Sequence, residues 1–401
     1  MKKGLTVFFL FLILIGRNSQ SFAQTTDTAK YHIAVFLPLF LDSAFDVNGN
    51  YRFDQIFPKY INPGLEFYEG LQLAMDSLAK MHSSLDISIY DTRNANKSIQ
   101  QMAEEPAFSG IQLIIGYVTA PELRFLSNTA RAKEIPFINV NFPNDGGVTN
   151  NPDFVILNTT LHAHCEAIYK FIQRNWATSN IIYIHKKGLQ EDRLINDFAS
   201  IEKNTPSVPL KMKYLLVDNA LDPRLLLPGL DSNSKSVILV GSLDEGYGKS
   251  ICAQLAVLSK TYPMKIIGLP TWDAITDFNL PAYLNEEIYY TTPFYINPAD
   301  SLVMAIQQNY KNRFYSRPSD MVYRGYETIL HFGQLLDLHK GSMDGSIGEK
   351  KFKVFNDFDI QPVFTNKDPQ ALSSPAITLQ YLENKKVYFI KKVNGNVVAV
   401  Y

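Results

Sequence analysis

The chain reads as an α/β protein of two Rossmann-like lobes, each a parallel sheet covered by helices, joined by a hinge of several extended strands. Three observations predict this. From Tyr31 to Trp272, short apolar runs alternate with amphipathic helical segments, the pattern of repeated βα units. The apolar runs are nearly continuous in Val, Ile and Phe rather than alternating, as in strands buried on both faces. The series leaves one sheet near 154–160 and begins another, and the extended stretch 286–298 carries the chain back to a last helix pair. The expected division is a leader at 1–23, one lobe from 24–158 plus 296–355, and a second from 159–295 plus 356–401.

Strands of the first half are expected at 31–39, 85–92, 111–118 and 136–142. A helix near 65–82 places Phe67, Leu71, Ala74, Leu78 and Met81 on one stripe. Another starts at Pro121, a residue suited to a first helical turn, and runs to about Lys133. The second series reads as a helix at 161–176, a strand at 180–187, a helix at 190–204 and a strand at 210–218. A strand at 234–242, a helix at 245–260 and a strand at 264–272 complete it. Helices at about 300–315 and 320–340 follow, then the extended segments AITLQYLE and KVYFIKKV.

The leader carries Lys2 and Lys3, an apolar run from Leu5 to Ile15, and the small residues Ser21 and Ala23 before Gln24. That is the layout of a cleaved export signal, and the run is short for a bilayer span. A periplasmic protein without stable membrane insertion is expected. Its 46% apolar content supplies two cores, and a net charge of −1 gives no attraction to nucleic acid. Cys165 and Cys252 are the only cysteines, expected as buried thiols, with a single disulfide as the alternative.

Several motifs are set aside. GYGKS at 246–250 lacks the earlier Gly of a phosphate loop, since Leu243 stands there. DVNGNYRFD at 46–54 has calcium-like spacing, but Tyr51 occupies the turn position and Phe57 the twelfth. His162 and His164 point to different helix faces. No nucleophile elbow or zinc helix is found, so an enzyme, a metal and a cofactor are not expected. The stretch from Leu41 to Pro63 holds Phe45, Tyr51, Phe53, Phe57 and Tyr60. It reads as a cap over a pocket, a contact for a protein partner, or a self-packed loop.

At the last helix pair the wording becomes specific. YKNRF from Tyr310, Pro318 and GYET from Gly325 resemble the type I periplasmic binding proteins, the leucine/isoleucine/valine-binding and receptor ligand-binding-region relatives. FYEGLQLAMDSL at 67–78, YDTRN at 90–94 and IIGYVTAPEL at 114–123 match in order and spacing, and the tail resembles that family's C-terminal hairpin. The wording around FYEG and YDT is closest to versions found in Bacteroidetes. Tyr315 stands where that family has Gly, and Glu327-Thr328 replace its Asp-Ala.

The resemblance implies a non-enzymatic protein that captures a small polar, amino-acid-like ligand between its lobes by hinge closure, for ABC-type uptake through a permease or for sensing. An envelope interaction protein on the same fold, acting on peptidoglycan synthesis through protein contacts, is the alternative. By position, Thr119 and the amides of Ala120 and Glu122 would hold a carboxylate. Asn139, Asn141 and Phe142 occupy the loop after the fourth strand. In the second lobe Ser242 and Asp244 fall at a cleft-facing strand end, and Thr271, Trp272 and Asp273 where the family keeps an acid for an ammonium group. Trp272 would offer a stacking face.

Overall fold

A computed structural model describes residues 30–400 other than 55, 219, 284, 366–377, 394 and 395. The export signal expected at 1–23 lies outside the described residues.

The first sheet begins with β1 (Tyr31–Leu37), β2 (Leu85–Asp91), β3 (Ile111–Gly116), β4 (Phe137–Asn139) and β5 (Phe154–Ile156), all parallel. Ile33 to Leu37 are fully buried on both faces, which is why β1 lacks an alternating pattern. The second sheet repeats the plan with β6 (Ile181–His185), β7 (Met212–Leu216), β8 (Ser236–Val240), β9 (Met264–Ile267) and β10 (Glu287–Thr292). Two further strands, β11 (Ile360–Thr365) and β12 (Thr378–Asn384), extend the first sheet, while β13 (Tyr388–Val393) and β14 (Asn396–Ala399) extend the second. The orders are β2-β1-β3-β4-β5-β12-β11 and β7-β6-β8-β9-β10-β13-β14. Both are doubly wound sheets with an antiparallel margin.

Helices cover both faces. In the first lobe these are α1 (Asn62–Lys80) and α2 (Ala120–Lys133), and in the second α3 (Leu161–Trp176), α4 (Leu189–Asn204) and α5 (Glu245–Leu258). The return pair α6 (Ser301–Phe314) and α7 (Asp320–Leu338) packs back on the first lobe, where Tyr310, Val322, Tyr326 and Phe332 share a core with Phe67 and Leu71 of α1. Helices α1 and α7 cross at glycines. A methyl on Gly70 would come within 2.0 Å of the Val322 carbonyl oxygen, and one on Gly325 within 2.1 Å of the Phe67 oxygen. Helix α6 ends at Tyr315 in the left-handed region, φ 55°, at the position where Gly was expected by resemblance.

Three segments join the lobes: 157–160, 293–300 and 385–387. Two are laced together, with Thr159 Oγ1 donating to the Lys386 oxygen at 2.8 Å and Asn384 Nδ2 to the Leu157 oxygen at 3.0 Å. The third is tied in by Tyr295 N–H donating to Asn356 Oδ1 at 2.8 Å. Each crossing leaves a strand's carboxyl end, so the carboxyl edges of the two sheets face one another across a cleft.

Three expectations need correction. Residues 356–401 do not all belong with the second lobe, because β11 and β12 pair into the first sheet. The tail is not one hairpin for the same reason: β12 lies beside β5 and β13 beside β10, with a crossing between them. Glu287–Thr292, read as a returning stretch, is a central strand of the second sheet. The polar-tipped run Tyr289, Tyr290, Thr291 and Thr292 concealed its burial. Both cysteines are free and buried, and burial pushes both thiols up.

Candidate functional site

The first-lobe rim of the cleft is built where β1, β3 and β4 end. Thr119 caps α2, and its N–H donates to Glu122 Oε2 at 2.7 Å, one half of a capping box. Arg93, just after β2, holds the same carboxylate with Nη1–Oε1 at 2.9 Å and Nη2–Oε2 at 3.1 Å. The start of α2 therefore already carries an anion, the chain's own. Asn139 is fully buried and shapes its loop, donating to the Phe142 oxygen at 2.9 Å and accepting Phe142 N–H at 3.2 Å. Asn141 joins neighbouring loops by accepting Val118 N–H at 3.0 Å and donating to the Val118 oxygen at 2.8 Å. Phe142 packs against the core on the α2 face. Thr119, Ala120 and Glu122 thus meet at one helix start, while the Asn139–Phe142 group stands as loop scaffolding beside it.

In the second lobe Ser242 is fully buried and donates to Glu191 Oε1 of α4 at 2.6 Å. Asp244 caps α5 by accepting Tyr247 N–H at 3.0 Å and pairs with Lys186 at 2.5 Å. These bonds, the Lys186 contact first, hold its carboxyl below the ordinary value. Residues Pro270–Ala274 form a 3-10 turn. That turn buries Trp272 completely against Phe278, with Gly248 and Gly268 leaving room for the indole. The expected stacking face at Trp272 is therefore inside the core, because the turn directs Asp273 outward and the indole inward. The Thr271 hydroxyl is buried without a hydrogen-bond partner among the described residues.

A cavity of about 180 Å³ lies beside the 293–300 crossing, lined from both lobes. The first lobe contributes Asp320, Arg324 and Glu327 of α7, and the second Asp273 and Tyr290. Arg324 packs its guanidinium over the Phe294 ring at 4.2 Å, and its Nε is buried with no hydrogen-bond partner among the described residues. Burial pushes this cation down, while Asp320 and Asp273 favour its charge through space. Asp273 keeps an open edge to solvent, yet surrounding protein pushes its carboxyl up, opposed by a hydrogen bond from Tyr290. Glu327 is buried and raised to about 7 by burial, although it accepts Phe355 N–H at 2.8 Å, Asn356 N–H at 2.6 Å and Asn356 Nδ2 at 2.7 Å.

Of the pocket's charged groups only Asp273 was legible beforehand, through the resemblance. Arg324 and Glu327 sit in VYRGYET on the matched helix, and the signal there was two charges among the apolar positions of α7. Glu327 spends its oxygens on the 355–356 turn. Arg324, Asp273 and Asp320 keep capacity toward the cavity.

At the cleft end of β1, Asp91 accepts N–H bonds from Leu39 (2.9 Å), Phe40 (3.2 Å), Leu41 (2.9 Å) and Arg93 (2.9 Å). The aromatic stretch that follows packs on itself through Tyr51 against Phe45, Phe53 and Phe57, leaving Val47, Ile56 and Tyr60 exposed.

No family model matches the chain, and no curated protein matches its sequence. Solved structures do. A proposed branched-chain amino acid ABC transporter from Rhodospirillum rubrum aligns over 93% of this chain and 100% of its own, with TM-score 0.65 and 11% identity. An ABC transporter substrate-binding protein from Desulfitobacterium hafniense aligns over 93% and 100%, with TM-score 0.53 and 13% identity. LpoA from Haemophilus influenzae aligns over 93% of this chain and 59% of its own, with TM-score 0.56 and 12% identity. At these identities the likeness is one of fold. The chain has the two-lobed α/β fold of type I periplasmic binding proteins. Among the described residues no helix is long and apolar enough to cross a membrane.

Proposed function

We propose that the protein is an extracytoplasmic solute-binding protein that closes its lobes on a small polar, amino-acid-like ligand, for ABC-type uptake or sensing. One observation carries the reading: the hinge-side cavity draws a cation, Arg324, from one lobe and a carboxylate, Asp273, from the other. A ligand bearing both charges would contact both lobes, and hinge rotation would withdraw it from water. The fold likeness to transporter substrate-binding proteins supports this reading. The protein would act in the periplasm after removal of residues 1–23.

The test is a thermal-shift screen of residues 24–401 against amino acids, small peptides, sugars and wall fragments, with X-ray scattering on any hit. A ligand that binds only the folded protein stabilises it by about 2.7 kcal/mol at a hundred times its dissociation constant. The expected result is a saturable shift for one chemical class, with a smaller radius of gyration. No shift across the panel would sink the reading.

A second reading is an envelope protein that works through protein contacts. The observation favouring it is the exposed apolar set Val47, Ile56 and Tyr60 on the loop after β1. Substituting those residues would leave solute binding intact and abolish partner capture.

A further inference from the structure

We propose that Arg324, on the return helix α7, is the residue that reads the ligand's carboxylate, in place of the start of α2. This rests on the solute-binding reading and deepens it, by locating the anion subsite beside the hinge.

Two independent observations lead here. The start of α2 is already filled, since the Glu122 carboxylate takes the Thr119 N–H and is itself gripped at both oxygens by Arg93. A second carboxylate brought there would meet that negative charge and displace a bidentate ion pair. Arg324 presents the opposite situation. Its Nε is buried and unpartnered, its flat face rests on Phe294, and the residue lines the cavity. A guanidinium in a cavity wall is matched in shape and charge by a carboxylate accepting two parallel N–H bonds.

The acids around it narrow the ligand further. Glu327 is spent on the Phe355 and Asn356 amides, so it fixes the turn rather than the ligand. Asp273 and Asp320 line the same cavity and disfavour a plain anion. The ligand must therefore bring a positive group of its own, which Asp273 meets from the second lobe. Tyr117, just after β3, lies close enough to feel the Arg324 charge.

The first experiment follows the Arg324 Nε–H resonance of the otherwise intact protein, assigned by its loss in Arg324→Lys, while glycine and then glycinamide are added. The expected result is a saturable shift with glycine and none with its carboxamide. For the hit of the thermal-shift screen, Arg324→Gln should weaken binding by roughly ten- to a hundredfold, the usual worth of a charge-assisted pair. Equal shifts with both probes, or a Thr119→Val loss as large as that of Arg324→Gln, would overturn the assignment. If glycine leaves the resonance unmoved while scattering shows the lobes closing on another compound, Arg324 is not the anchor and the solute-binding reading stands. If the resonance is unmoved and no compound closes the lobes, both fail.

Discussion

Arg93 and Glu122 form a two-pronged pair, at 2.9 and 3.1 Å, whose carboxylate also accepts the Thr119 N–H at 2.7 Å. One acid thereby serves as helix cap and ion-pair partner, tying the loop after β2 to the start of α2.

Removing either side of that pair should loosen this corner. Arg93→Ala leaves a half-buried carboxylate held by one amide and is expected to cost about 1–3 kcal/mol. Glu122→Gln keeps the cap and loses the ion pair, so it should cost less. Urea unfolding of both variants checks the order, and an equal cost would refute the shared role.

The crossing of α1 and α7 predicts a sharper loss. Gly325→Ala drives a methyl into the Phe67 backbone oxygen, which no rotamer change relieves. Separating the helices would open the core between Phe67 and Phe332, at a cost of about 3 kcal/mol or more. The measurement is the melting temperature, with Gly345→Ala as a comparison whose added methyl meets nothing within 4 Å, although its φ of 69° carries local strain.

Tyr315 points the other way. It holds a left-handed φ of 55° at the end of α6 with its ring almost wholly in solvent. Tyr315→Gly removes about 1–2 kcal/mol of backbone strain and adds unfolded-chain entropy of roughly half that, so a small net gain in stability is expected. A lower melting temperature would contradict it.

Glu327 sets a pH dependence. Its folded carboxyl titrates near 7, above the ordinary 4.5, so between those values the folded chain holds a proton that the unfolded chain releases. Its contribution is complete below about pH 4.5 and is lost as pH rises through 7, with a limiting slope near 1.4 kcal/mol per pH unit. Unfolding free energies measured from pH 5 to 8 should fall more steeply in the wild type than in Glu327→Gln. Parallel curves would rule the effect out.

Asp91 governs the entrance. Asp91→Asn halves its accepting capacity for the four N–H groups it now serves, from Leu39, Phe40, Leu41 and Arg93. Faster hydrogen exchange at Leu39 and Leu41, with the α1 amides unchanged, is the expected signature, and uniform exchange across the lobe would argue against a local role.

The sequence by itself determined the alternation of elements, because strands such as Ile33–Leu37 and helices such as α3 carry their burial in local periodicity. It also placed the helix starts near Pro121 and at 245, where the structure supplies Thr119 and Asp244 as caps. What only the tertiary structure decided were relations between distant residues. The pairing of β12 with β5 and of β13 with β10 split a tail that looks like one hairpin. A 3-10 turn sent Trp272 into the core and left Asp273 at the cleft. Arg324 became a site residue only when Phe294, Asp273 and Tyr290, far from it in sequence or from the other lobe, closed around its guanidinium. Desolvation depends on everything packed around a charge, and that is a property of the assembled fold.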